Sequence, residues 1–141
     1  MLYLKTPLKH IQMAQKRSIL LVDDETSILR TLQLVFEDEG YDVATAESSA
    51  QALKILDGNG HFDAVITDLN MEKQDIGFEV ARAALKCDPK PAVVICTGFA
   101  SMSNSRVALE MGVDYMAHKP VELSELISAL NRLISRYKDL R

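Results

Sequence analysis

Phe62-Asp63-Ala64-Val65-Ile66-Thr67-Asp68 reads as a buried strand that ends in a single acid. Val65 and Ile66 are neighbouring β-branched residues with no polar alternation, the pattern of a strand covered on both faces in a parallel α/β sheet. A carboxylate at the carboxyl end of such a strand lies where open α/β sheets keep their ligand sites, in the crevice beyond the strand tips. Taken alone, an Asp after a strand is more often a turn former or a helix cap. The company Asp68 keeps therefore decides how it is read.

Working outward, strand and helix patterns alternate five times. Ser18 to Val22 is apolar on every side and ends at Asp23-Asp24-Glu25. Over Thr26 to Glu39, residues Ile28, Leu29, Leu32, Val35 and Phe36 recur at helical spacing, and Gly40 supplies a left-handed stop. Tyr41 to Thr45 is a short strand. Ser48 or Ser49 caps the next helix, which carries Ala52, Leu53 and Leu56 and ends in the turn Asp57-Gly58-Asn59-Gly60. After Asp68 comes an irregular loop, Leu69 to Ile76, and then a helix from Gly77 to Lys86. Pro89 and Pro91 bracket the break before the strand Ala92 to Cys96, which ends at Thr97-Gly98. Ser101 or Ser103 opens a helix stopped by Gly112, and the strand Val113 to Ala117 ends at Lys119-Pro120. The last helix, Glu122 to Tyr137, aligns Leu123, Leu126, Ile127, Leu130, Leu133 and Ile134 in one apolar stripe. Five βα units with right-handed crossovers predict an α/β fold, a doubly wound parallel sheet with helices on both faces. All strand ends then point one way, so Asp23, Asp24, Asp68, Thr97 and Lys119 can meet in one crevice.

A chain of 141 residues is the size of one domain and can bury a core without disulfides. Its net charge of -4 supplies no basic field for nucleic acid. Cys87 and Cys96 have no partners at metal-ligand spacing and read as reduced thiols in a cytoplasmic protein. No apolar run reaches the ~18 residues that a membrane span requires. Residues 1–16 read as an extension, helical or disordered: Thr6-Pro7 could open a short helix with Leu8 and Ile11, and the basic residues lack the apolar segment of a secretory signal. The folded unit is residues 17–141.

Three clustered carboxylates raise one another's pKa unless a cation neutralises them. An oxygen-only donor set with few protein ligands suits Mg²⁺. A lysine and a hydroxyl facing such a site are equipment for holding the oxygens of a phosphoryl group in transfer. There is no Gly-rich Walker loop to cradle a nucleotide, so the donor is expected from outside the chain.

The segments Ile19-Leu20-Leu21-Val22-Asp23-Asp24-Glu25, Asp68-Leu69-Asn70-Met71, Thr97-Gly98 and Lys119-Pro120, in this order and spacing, closely resemble the chemotaxis-Y-like receiver domain of two-component response regulators. The resemblance runs from about Lys16 to the C-terminus. It implies a flavodoxin-like (βα)5 fold with strand order 2-1-3-4-5. It also implies a phosphorelay switch in which Asp68 accepts a phosphoryl group from a sensor histidine kinase or a histidine phosphotransferase. On this resemblance Asp24 and Asp68 ligate Mg²⁺ directly, Asp23 does so through water and Asn70 through its backbone carbonyl. Lys119 pairs with the phosphoryl group, Thr97 swings in to it, and the Lys119-Pro120 peptide is cis. The output is a change in the surface of the fourth helix, fifth strand and fifth helix, where a downstream target protein docks or a homodimer forms. Such a protein is no enzyme beyond its own phosphorylation and slow autodephosphorylation.

Departures from the family pattern are informative. The Pro usual four residues after the phosphoacceptor is Glu72 here, and the loop up to Gly77-Phe78 is one residue longer. The position three before the lysine, usually aromatic, is Met116. A one-residue slip would bring Tyr115 there but turn it to the other face, so Met116 is the favoured switch residue, with Phe99 or Tyr115 as aromatic stand-ins. Strand alternation turns His118 away from Lys119, toward a surface or packing role, and His10 and His61 read as exposed. Two other functions stay open. A pseudo-receiver scaffold would bind without being phosphorylated. A Mg²⁺-dependent aspartyl phosphohydrolase would need an acid where this chain has Asn70. The chain leaves no room for an output module after its last helix, so a freestanding regulator and a relay intermediate are both expected forms, as is a fragment of a longer protein.

Overall fold

The computed structural model describes residues 16–58 and 60–140. The extension expected over residues 1–16 lies, apart from Lys16, outside the described residues, as does Asn59 of the expected turn. The strands are β1 (Ser18–Val22), β2 (Asp42–Ala46), β3 (Ala64–Asp68), β4 (Ala92–Thr97) and β5 (Tyr115–His118). Between and after them come α1 (Thr26–Asp38), α2 (Ser49–Leu56), α3 (Gly77–Leu85), α4 (Met102–Met111) and α5 (Leu123–Leu140). All pairings are parallel, in the order β2-β1-β3-β4-β5. The flavodoxin-like order is therefore the one expected.

The unbroken apolar runs of the strands are explained by two cores, one on each face. Ile19, Leu21, Ile66 and Val94 point to one side, where they meet Leu29 and Phe36 of α1 and Leu126, Leu130 and Ile134 of α5. Leu20, Val22, Val65, Val93 and Ile95 point to the other, against Ala52 and Leu56 of α2, Phe78 and Ala81 of α3 and Ala108 of α4. A period-2 backbone buried on both faces leaves no position for a polar residue until the strand ends. Gly112, at φ 94, closes α4 in the left-handed conformation. Ser101 opens that helix with a reciprocal capping box to Asn104.

Several boundaries differ from the sequence reading. β4 runs on to Thr97, and β5 spans Tyr115–His118 rather than Val113 to Ala117, because Val113 N–H is used to close α4 on Ala108 O (3.0 Å). Further differences lie at Tyr41 and at the end of α5. Tyr41 is not in the ladder, which begins with Asp42 opposite Ser18. Its amide instead donates to Phe36 O (3.0 Å) at the end of α1, its ring meets Phe36 edge-on at 5.5 Å, and its hydroxyl donates to Asn131 Oδ1 on α5. The last helix runs on to Leu140 because polar contacts hold its end. Tyr137 Oη donates to Asp114 Oδ1 (2.6 Å) and Lys138 Nζ lies 3.8 Å from buried Asp63.

The start of α3 rests directly on the end of β3. Gly77 N–H donates to Leu69 O at 2.8 Å, and a Cβ on Gly77 would lie 2.1 Å from Asp68 O and 2.7 Å from Leu69 Cα. Backbone cannot yield as a flexible side chain does, so Gly77→Ala is expected to destabilise the fold by roughly 3 kcal/mol, read from urea denaturation. A loss below ~1 kcal/mol would show that α3 can move off the strand end at little cost.

Candidate functional site

Strand order reverses between β1 and β3, the neighbours at the centre of the sheet, and this is where an open α/β sheet forms its crevice. The carboxyl ends of these strands deliver Asp23, Asp24 and Asp68. Each offers a carboxylate oxygen, and the three lie within 4.8 Å of one another. Asp23 and Asp68 are buried, at 4% and 8% exposure, while Asp24 faces solvent. Asp23 is fixed by the turn it starts: its amide donates to Ala46 O (3.1 Å) and its Oδ1 accepts from Glu25 N–H (2.9 Å).

From the end of β5, Lys119 reaches across the crevice. Its Nζ lies 3.1 Å from Asp68 Oδ2 and 3.3 Å from Asp23 Oδ2. The Lys119–Pro120 peptide is cis, as is Asp88–Pro89, which the sequence did not suggest. Burial pushes the Asp68 carboxyl above its ordinary value; the Lys119 contact pulls it back in part, and Asp23 adds to the rise. Burial works against the charge on Lys119, but its contacts with Asp68 and Asp23 outweigh this and raise its pKa. Cys96, beside the site on β4, is no nucleophile, since burial pushes its thiol up to about 12. Next to the acids, a cavity of about 630 Å³ opens between α1 and α5, with Ile28, Leu32, Val121 and Leu123 among its lining.

Residues 19–131 match the family model described as the response regulator receiver domain. The chain belongs to that family. Among relatives of this receiver domain, the transcriptional regulatory protein GlrR of Escherichia coli K12 is 36% identical over 113 residues, 80% of this chain and 25% of GlrR. The alginate biosynthesis transcriptional regulatory protein AlgB of Pseudomonas putida is 40% identical over 109 residues, 77% of this chain and 24% of AlgB. The chain thus spans about a quarter of the length of these relatives. A CheY-like receiver domain from Methanospirillum hungatei superposes with a TM-score of 0.84 at 28% identity, covering 90% of this chain and all of that one. One from Clostridium thermocellum gives 0.80 at 36% identity, covering 89% and 99%.

In this receiver domain Thr97 is 1% exposed, and its Oγ1 accepts from the Phe99 amide at 3.0 Å, so the hydroxyl is held by its own loop. On β5 the alternation is regular, with Ile95 opposite Met116 and Thr97 opposite His118. Met116 packs on the side of α2, α3 and α4, with Ser105 Oγ of α4 3.8 Å from its sulfur, whereas Tyr115 packs against the α1 and α5 core. His118 is exposed. Asn70 and Glu72 are also exposed, in the loop after Asp68. Glu72 makes a contact that the sequence did not reveal. Its carboxylate accepts from the amide (3.0 Å) and hydroxyl (2.9 Å) of Ser49 on α2. The only signal was the missing Pro, which names a difference without a partner.

The raised pKa of Asp68 fixes the sign of a stability effect. A carboxyl whose folded pKa stands above its unfolded value adds stability while protonated and loses it as pH rises through the folded pKa. Ionised Asp68 therefore costs stability at neutral pH, and in Asp68→Asn the amine of Lys119 keeps Asp23 as partner. Asp68→Asn is expected to raise Tm at pH 7 by ~4 °C in metal-free buffer, with the gain shrinking toward about pH 4. A lower Tm at pH 7 would mean that the Lys119 contact outweighs the burial cost.

Proposed function

We propose that this receiver domain is a Mg²⁺-dependent phosphoacceptor switch with Asp68 as its nucleophile. The observation that carries the reading is the Lys119 ammonium placed 3.1 Å from Asp68 and 3.3 Å from Asp23, beside three mutually close carboxylates. An all-oxygen set carrying more negative than positive charge fits a hard divalent ion. Asp24, Asp68 and the Asn70 backbone carbonyl would hold it, with Asp23 acting through water. When bound, Mg²⁺ supplies positive charge to the phosphoryl oxygens.

In the transfer, an Asp68 oxygen attacks the phosphorus of a phosphohistidine in line with the leaving nitrogen. The new O–P bond forms as the N–P bond breaks, and the imidazole leaves with the bonding pair and takes up a proton. Lys119 stabilises the charge on the transferring group. The Thr97 hydroxyl, which accepts from the Phe99 amide, would turn to donate its own O–H to a phosphoryl oxygen. The apolar wall of Ile28, Leu32, Val121 and Leu123 beside the acids suits a protein-borne donor, a sensor kinase or histidine phosphotransferase, better than a free nucleotide. A hydrolase reading fares worse, because Asn70 offers no acid and its Oδ1 already accepts from the Asp75 amide at 2.7 Å.

Movement of Thr97 on β4 would be passed to Met116 on β5 and so to Ser105 on α4. The exposed Met102 and Leu109 of α4 then present the surface for a target protein or a second copy. The net charge of -4 gives the chain no field of its own for nucleic acid. Among the described residues no helix is long and apolar enough to cross a membrane. The reading takes the domain as cytoplasmic.

Incubation with acetyl phosphate is expected to give a phosphorylated species in Mg²⁺ and none in EDTA or in Asp68→Asn. Absence of Mg²⁺-dependent modification in the wild type would leave a scaffold that is never phosphorylated, and steady phosphate release would favour a hydrolase. Lys119→Ala is expected to be modified roughly 100-fold more slowly. In that variant the amide resonances of Ser105 and Met116 should no longer shift on phosphorylation as they do in the wild type. Equal shifts in both proteins would remove Lys119 from the coupling.

A further inference from the structure

The β3–α3 loop carries Asn70, and beyond the packing of Met71 its middle is hydrogen-bonded to α2 by one side chain, Glu72. Asn70 Oδ1 accepts from Asp75 N–H (2.7 Å), while Met71 N–H and Ile76 N–H both donate to Lys73 O (3.2 and 3.4 Å). Phe78 N–H, in the first turn of α3, donates to Asp75 O at 3.1 Å. Those bonds close the loop on itself, with Asp75 in the left-handed region at φ 60. Met71 packs its side chain against the α2, α3 and α4 core, and Glu72 makes the polar contact that leaves the loop. Its Oε2 accepts from Ser49 N–H (3.0 Å) and Ser49 Oγ (2.9 Å), and its Oε1 lies 3.3 Å from the same amide. Ser48 already caps α2 through Gln51 N–H (3.1 Å), so Glu72 satisfies a second orphan donor at the positive end of that helix.

We propose that Glu72 is a positioning residue for the divalent-cation site, latching the loop to Ser49 so that the Asn70 backbone is ordered before the ion arrives. This rests on the Mg²⁺ reading given above. A ligand carried by an exposed loop must be ordered when it binds, and outer contacts that hold such a ligand in place contribute to metal affinity without touching the metal. Glu72 sits two residues from Asn70, and past Met71, which packs on the core, the stretch Glu72-Lys73-Gln74-Asp75 holds no apolar residue. Its loss would free the part of the loop that has to be still.

The test is calorimetric titration of the full chain with Mg²⁺ alone, without any phosphoryl donor. Glu72→Ala is expected to weaken Mg²⁺ binding about tenfold, the lower end of what losing an outer-shell partner costs. Glu72→Gln, which keeps an acceptor oxygen at the same reach, should lose less. The double variant Glu72→Ala with Ser49→Ala should bind no more weakly than Glu72→Ala, and the Ser49 amide resonance should move in Glu72→Ala. Wild-type Mg²⁺ affinity in Glu72→Ala, even with a lowered Tm, would overturn the proposal and leave Glu72 a helix cap. The two readings fail separately. Wild type that binds Mg²⁺ but is not modified by acetyl phosphate ends the phosphoacceptor function and leaves the latch in force. Wild type modified in a Mg²⁺-dependent way, with Glu72→Ala titrating as wild type does, ends the latch alone. Wild type that does not bind Mg²⁺ ends both.

Discussion

A single ammonium between two buried carboxylates is the constraint around which this domain is arranged. Like charges about 4 Å apart repel by ~4 kcal/mol at the effective dielectric near a protein surface, so neighbouring ionised acids need a cation among them. Lys119 supplies one charge, with Nζ 3.1 Å from Asp68 and 3.3 Å from Asp23. It does not fully offset the burial of Asp68, whose carboxyl remains above its ordinary value. A crevice left short of positive charge is one whose repulsion a divalent cation would relieve.

Such a balance can be kept only if the strand tips do not move, and the two-sided core provides that. Alternate residues of every central strand are locked into opposite apolar clusters, so β1, β3 and β4 cannot slip by one residue without exchanging their two faces. The polar side chains of the site are therefore carried at the strand ends and beyond. The Thr97 backbone is held in the β4–β5 ladder while its hydroxyl accepts from the Phe99 amide of its own turn, and Met116 touches α4 through its sulfur near Ser105. A methionine can repack through three rotatable bonds where an aromatic would swing as a plate, which makes for a softer link between β5 and α4.

Much of this was legible in the sequence because burial on two faces writes itself as unbroken apolar runs and because acids, hydroxyl and lysine stand at the strand ends. Asp23, Asp24, Asp68 and Lys119 were brought together by the common direction of the parallel strands, whose ends share one crevice. What remained hidden depends on contacts distant in sequence. Tyr41 has the look of a strand residue, yet its ring and hydroxyl are claimed by Phe36 and Asn131, so the ladder starts one residue later. The apolar stripe of α5 says where the helix packs but not that Tyr137 and Lys138 hold its end to Asp114 and Asp63. Glu72 was recognisable as a departure, but its partner Ser49 lies 23 positions away and no periodicity connects them.

The loop after Asp68 is accommodated without disturbing the Asp68 carboxylate and its contact with Lys119. Gly77 lets α3 begin against the backbone of Asp68 and Leu69, which fixes both ends of the segment at close quarters. Chain between two fixed ends has to bulge outward. Asp75 accommodates the bulge by taking φ 60, a conformation that Asp tolerates better than most residues, and Asn70 closes it by accepting from the Asp75 amide. The entropic cost of one more residue in such a loop is small, so its length can vary while the geometry of Asp68 and Lys119 is preserved. The freedom gained at the outer end is what Glu72 removes by binding Ser49. Loop length and the residue at that position thus form one unit, set apart from the strands that hold Asp68 and Asp23.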